Sequence, residues 1–277
     1  MERHPLNITT NSAHQHALLL QYPQYSTGPR MVMLHGSGVA GEYTWTYLCN
    51  YLRGWSEILL LDLAEMGQSR FALDMPWQAS SYATQLQELL ERLDWQTFDL
   101  AAYSFGGMVA WAWMNQHPLD GRLFLLEPAM LGGVEPATLV NKAEAYRQLS
   151  HQLMAQPDRL DLYREFLDIV SPVRPDNPQA DELTATRLAE NPAGFARALN
   201  TVATELMQHA DEFVQWQAPV SGMSFVGSLS PQEMHQRHQM LAEQNLPSWQ
   251  YVSIAGADHR LVYTHSRQIA AAMNKMV

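Results

Sequence analysis

A serine set between small residues, Ala102-Tyr103-Ser104-Phe105-Gly106, is where the residue types and spacing of this chain point most directly to chemistry. The apolar run from Phe98 to Tyr103 leads into it and reads as a buried strand. Gly106 to Met114, with little polar surface, reads as a buried helix. A sharp strand-to-helix turn strains its central residue and leaves no room for bulk two positions to either side, a demand Ala102 and Gly106 meet. Such a turn holds a serine hydroxyl clear of both elements, with helix N-terminal N–H groups behind it. The usual pattern is Gly-x-Ser-x-Gly, and Ala102 adds one methyl to it. Taken alone, the five residues fit an ordinary strand-loop-helix turn equally well, so the remaining residues must decide.

A serine hydroxyl is a weak nucleophile near neutral pH and needs a base, which in turn needs an orienting acid. His259, in Ala255-Gly256-Ala257-Asp258-His259-Arg260, follows an apolar run ending at Ile254 and opens the C-terminal helix. It is the candidate base; the alternative is a solvated histidine at a helix start. Negative charge that develops on a substrate oxygen needs N–H donors aimed at it. The turn His35-Gly36-Ser37-Gly38 follows the run ending at Leu34, so the Ser37 and Phe105 N–H groups form the candidate oxyanion pair. His35 reads as a brace for the turn.

Positioning these residues requires strands that end on one side of a sheet. Short apolar runs at Met31–Leu34, Ile58–Leu61, Leu100–Tyr103, Leu123–Leu126, Met223–Val226 and Tyr251–Ile254 alternate with helical patterns. That alternation predicts an α/β fold, a mostly parallel twisted sheet with helices on both faces. Ala17 to Tyr22 is expected to add an antiparallel edge strand. From Met130 to Pro219 no strand is evident. Helical stripes such as Leu139, Ala143, Tyr146, Leu149 and Leu153 fill the interval, broken at Ser171–Pro175 and Asn177-Pro178. The expected division is a core portion over 1–130, a helical cap or lid over 131–217, and the rest of the core over 218–277. A helical layer packed on the sheet edge is the alternative.

Composition narrows the partners. A formal charge of −11 argues against nucleic acid and anionic membrane surfaces. The one cysteine, Cys49, cannot form an internal disulfide and reads as a packing residue. No metal site is expected. His235 and His238 are three apart but expected to be solvated on a surface helix. No signal peptide or membrane span is evident, so the expected address is the cytoplasm. The expected partner is a small-molecule substrate, with no cofactor, and the chain is expected to be a monomer or homodimer.

The chain resembles the α/β-hydrolases. The resemblance rests on His35-Gly36 with Trp45 downstream, on Asp62 with Gly67 and Ser69, on the turn around Ser104, and on His259. Glu65 stands where a glycine is usual in the Asp62 segment. The resemblance spans about residues 28–130 and 218 onward, and implies a helical cap inserted after strand 6 of that fold. It also implies an aspartate after the strand that follows the cap, where this chain has Ser230 in Gly227-Ser228-Leu229-Ser230-Pro231. Some members carry the acid after the strand before the cap, which here makes Glu127 the candidate; Asp258 and Glu233 are weaker choices, and Ser230→Ala is expected to stay near wild type. Related dehalogenases and epoxide hydrolases attack with an aspartate, so Ser104 implies acyl transfer. The expected function is a serine hydrolase cleaving a small, largely apolar carboxylic ester or thioester through an acyl-enzyme. Carbon–carbon bond hydrolysis, a proline-type aminopeptidase, and a non-catalytic ligand-binding member of the fold are the alternatives.

Overall fold

Strands that are apolar at every position have two faces to bury. The computed structural model describes residues 1–277 and builds one sheet of nine strands. These are β1 (Glu2–Thr9), β2 (Ala13–Gln21), β3 (Arg30–Leu34), β4 (Glu57–Leu61), β5 (Arg70–Phe71), β6 (Asp99–Tyr103), β7 (Leu123–Leu126), β8 (Gly222–Gly227) and β9 (Trp249–Ile254). Alternate residues divide between two cores. Val32, Leu34, Leu100, Ala102 and Leu125 join one, against α2 (Ala79–Leu93) and α3 (Phe105–Met114). Met31, Met33, Ala101, Tyr103 and Leu126 join the other, against α1 (Gly41–Cys49). Cys49 is fully buried in this second core.

The sheet order is β1-β2-β4-β3-β6-β7-β8-β9, with β5 paired to β2. From β3 to β9 all neighbours are parallel. After β3 the chain moves outward to β4, then crosses back to place β6 on the other side of β3, with Leu34 opposite Ala102. At such a reversal the two loops leaving the strand ends diverge and open a crevice, the usual ligand position in a parallel sheet. Here those loops begin at His35 and Ser104.

Of the expected strand from Ala17 to Tyr22, all but Tyr22 lies in β2, which is antiparallel as expected but is not the edge. β1 pairs outside it over its whole length. Only Leu6 and Ile8 of β1 pack on the core, so its sequence carried too little apolar signal to register as a strand.

Four helices occupy the interval between β7 and β8: α4 (Pro136–Ala155), α5 (Leu160–Val170), α6 (Pro178–Leu188) and α7 (Pro192–Gln215). They follow the seventh strand in chain order, which is the sixth when the two-residue β5, too short to show as an apolar run, is left out. Asn177-Pro178 acts as a helix start as well as a break. The Asn177 side chain accepts the Ala180 N–H at 3.1 Å and Pro178 takes the first turn, an arrangement Asn191 and Pro192 repeat at α7.

Three helices complete the chain: α8 (Gln232–Gln244), α9 (Leu261–Thr264) and α10 (Ser266–Met273). The solvated state expected for His235 and His238 on α8 is not what the structure shows. His235 Nδ1 lies 2.5 Å from the Tyr251 hydroxyl, and His238 is 0 % exposed with neither ring nitrogen partnered. Met234, Arg237, His238 and Leu241 make the stripe that α8 turns inward, so helical position overrode side-chain polarity.

Burial pushes His238 down to about 3, with the Arg237 and His235 charges acting in the same direction. The unfolded chain therefore binds a proton below about pH 6.5 that the folded chain refuses, and stability falls as pH drops from there toward 3. The loss expected from this group at pH 5 is about 2 kcal/mol. Wild type should lose several degrees more of Tm between pH 7 and pH 5 than His238→Leu; parallel melting curves would remove His238 as the cause.

Candidate active site

Ser104 sits between β6 and α3 at φ 52°, ψ −115°, a left-handed conformation that L residues avoid. Close packing enforces it. A Cβ on Gly106 would lie 2.4 Å from the Leu34 carbonyl oxygen, and one on Gly36 3.2 Å from the Ser104 Cβ. The methyl of Ala102, where a glycine is usual, is buried in the core without such conflict.

His259 comes from the loop between β9 and α9, and Glu127 from the end of β7. The Ser104 hydroxyl is 3.1 Å from His259 Nε2, in line to donate to it, and His259 Nδ1–H donates to Glu127 Oε2 at 2.7 Å. Glu127 is 0 % exposed and sits at φ 41°, so this carboxylate also leaves its strand through a left-handed turn. Its other oxygen, Oε1, accepts the Gly227 N–H at 2.7 Å and the Ser230 hydroxyl at 2.5 Å. A buried carboxylate with three donors has its lost hydration replaced by fixed hydrogen bonds.

On the other wall, His35 is fully buried and neutral: burial lowers its pKa, with the nearby Asp62 charge opposing. His35 Nδ1–H donates to the Gly36 carbonyl at 2.7 Å and Nε2 accepts the Leu63 N–H at 2.8 Å. Asp62 accepts the Gly41 and Gln68 N–H groups. Both side chains brace the loops around Ser37. The N–H groups of Ser37 and Phe105 donate to no protein acceptor, and Ser37 lines the same small cavity as Ser104 and His259.

A model of the alpha/beta hydrolase family matches residues 31–272. The chain belongs to that family. Solved structures share its fold. A thermophilic esterase from Thermogutta terrifontis is 17% identical, with 100% of this chain and 98% of that one covered and a TM-score of 0.71. The epoxide hydrolase CorEH is 18% identical, with 99% and 97% covered and a TM-score of 0.74. A 2-hydroxy-6-oxo-6-phenylhexa-2,4-dienoate hydrolase from Rhodococcus sp. strain RHA1 is 20% identical, with 99% and 97% covered and a TM-score of 0.68. At these identities the likeness concerns architecture, and the chemistry has to be argued from this hydrolase's own residues.

Among the residues around the hydrolase site, Arg260, Asp181 and Arg174 carried no functional signal in the sequence. The Tyr103 hydroxyl donates to the His259 carbonyl at 2.9 Å, and burial raises its pKa well above the ordinary tyrosine value, so it stays a donor. Asp258 does not approach the His259 ring as an orienter. It accepts the Arg260 N–H at 2.9 Å and the Arg260 side chain at 2.7 and 3.0 Å, clamping the loop on both sides of the histidine. Arg260 also reaches Asp181 on α6 at 2.6 Å, and Asp181 binds Arg174 at 2.8 Å. Glu233 makes no hydrogen bond to His259; its Oε2 is buried without a partner near Gly133. Glu65 adopts φ 62°, the backbone shape a glycine would take there without strain.

Ser230 has a part the sequence did not suggest, because its hydroxyl bridges β8's loop to a carboxylate on β7. Ser230→Ala leaves that oxygen one donor short, and the expected loss is about ten-fold in kcat/KM. Steady-state kinetics on any ester the enzyme turns over would check it; an unchanged value would reduce the bond to packing.

Proposed function

We propose that this protein is a serine hydrolase that cleaves a small, largely apolar carboxylic ester or thioester through an acyl-enzyme. The observation that carries the reading is the unbroken line from Ser104 Oγ through His259 to Glu127, at 3.1 and 2.7 Å, beside two N–H groups without acceptors. In this reading His259 takes the Ser104 proton as the hydroxyl attacks a carbonyl. Glu127 holds the imidazole in the tautomer with Nε2 free and stabilises its charge once formed. The Ser37 and Phe105 N–H groups receive the oxyanion. His259 then protonates the leaving group, and water attacks the acyl-enzyme by the same route in reverse.

The choice of serine favours acyl substrates. A hydroxyl that opens an epoxide forms an ether, which water does not release; one that attacks an ester or thioester forms an ester, which it does. Size is limited too. The cavity at Ser104 is about 40 Å³, walled by Phe166, Leu167 and Val170 of α5 and Leu188 of α6. So small a cavity favours a short acyl group, or movement of α5 and α6 to admit a longer one. We assign α4–α7 the part of a lid that excludes water and shapes this pocket. No helix is long and apolar enough to cross a membrane. An unpaired buried Cys49 fits a reducing compartment such as the cytoplasm.

The test is a panel of p-nitrophenyl esters of increasing acyl length, an aryl epoxide and a 1,3-diketone, run beside covalent labelling with a phosphonate. Turnover of short esters with Ser104 labelled supports the reading. Turnover confined to the diketone would move it to carbon–carbon hydrolysis. Absence of both turnover and label would leave a ligand-binding member of the fold.

A further inference from the structure

The small cavity at Ser104 adjoins a larger one of about 350 Å³ between α6 and the loop carrying His259. Val39, Thr184, Arg260 and Tyr263 wall both. The chamber is thus the space next to a substrate whose reacting carbonyl lies at Ser104. The polar groups there are unevenly committed. The Asp258 carboxylate is engaged by Arg260, and Asp181 just beyond it is engaged by both Arg260 and Arg174. The Thr184 and Thr264 hydroxyls donate to helix carbonyls.

Two donors remain. The half-buried Arg187 lines the chamber and its guanidinium forms no hydrogen bond or salt bridge. The Asn177 side chain uses only its oxygen, for the α6 cap, and leaves its amide N–H₂ free. Burial pushes the Tyr263 phenol up to about 12, and the Arg187 charge is among the influences opposing that rise, so its field reaches the wall between the two cavities. Arg187 is also placed to serve a ligand at Ser104. It lies three residues beyond Thr184 on α6, which sets the two side chains about 5–6 Å apart on the helix surface.

We propose that the substrate carries a carboxylate, bound by Arg187 in the chamber while its ester or thioester carbonyl lies at Ser104. This rests on the serine hydrolase reading and adds to it a substrate class, esters bearing one remote negative charge. A guanidinium without a partner at a concave wall matches a carboxylate in shape and charge. A single charge fits better than several, because the Asp258 and Asp181 carboxylates nearby repel a polyanion. The apolar walls at Ser104 then hold the short uncharged part of the molecule.

Matched ester pairs test this, each normalised to its rate of alkaline hydrolysis. 4-Acetoxybenzoate against phenyl acetate puts the charge on the leaving group; mono-4-nitrophenyl adipate against 4-nitrophenyl valerate puts it on the acyl group. In one of the pairs, wild type should favour the charged ester in kcat/KM by about ten-fold or more. Arg187→Gln should bring that ratio close to one, Arg187→Lys should keep part of it, and the exposed-site control Arg267→Gln should keep all of it. Equal rates within both pairs, or a preference that survives Arg187→Gln, would overturn the proposal. Should no ester turn over and Ser104 resist labelling, the hydrolase reading fails by itself. Calorimetric binding of the monoanions 4-acetamidobenzoate and adipic acid monoamide then decides the anion site: binding lost in Arg187→Gln sustains it, and absent or unchanged binding refutes it.

Discussion

Alanine at Ser104 is expected to lower kcat for ester hydrolysis by about 10⁶, and alanine at His259 by a similar factor. The two losses should not add. A hydroxyl 3.1 Å from an imidazole nitrogen acts with it as one unit, so removing either leaves the other without a task. The double variant is expected to match the single ones, with a residual rate above the uncatalysed one supplied by the oxyanion donors and by binding. Steady-state kinetics on the best short ester, with mass spectrometry of the phosphonate-treated protein, checks both parts. More than about one per cent of wild-type kcat in Ser104→Ala would place the nucleophile elsewhere, given the size of loss expected for a triad serine.

Glu127→Gln should reduce kcat by about 10⁴ with little change in fold. Glutamine fills the same space and can still accept from the Gly227 N–H, but in the proposed reaction it carries no charge to hold the imidazolium formed as Ser104 attacks. The loss should appear in kcat rather than KM, since the group is fully buried behind His259 and touches no cavity at Ser104. Ser230 reaches the same carboxylate from the loop after β8, so an aspartate at 230 places a negative charge beside residue 127. Ser230→Asp in the Glu127→Gln background is expected to recover at least ten-fold. Glu127→Gln with a tenth or more of wild-type activity would show that the acid is not at 127.

Both predictions depend on strain held in place by the sheet. Ser104 and Glu127 end neighbouring parallel strands, β6 and β7, and each leaves at positive φ. Each such turn costs on the order of 1–3 kcal/mol and persists because packing around it permits nothing else. Gly106 and Gly36, which have no room for a Cβ, form part of that packing. The same two turns lift the hydroxyl and the carboxylate off the strand ends toward the loop that carries His259.

Much of this arrangement is legible in the chain itself, because it depends on local patterns. A strand buried on both faces must be apolar throughout, so β3, β4, β6 and β7 announce themselves. A turn between a strand and a helix that admits only small residues marks Ser104. The run ending at Ile254 places His259 at a strand end, and Glu127 stands at another, so an acid on β7 was already an option for the chain. Tertiary structure decided the rest. Ser230 meets Glu127 across 103 positions, and Arg260 meets Asp181 across 79, separations over which no spacing rule operates. β1 became a strand because β2 offered it an edge, and His238 was buried because α8 turned that face to the sheet. The chamber beside Ser104 exists only where α6 lies over the His259 loop, so the partnerless state of Arg187 has no trace in the sequence. Periodicity reports which residues prefer to be buried or to turn; which of them meet is set by strand order and helix docking, the cooperative outcome of packing the whole chain.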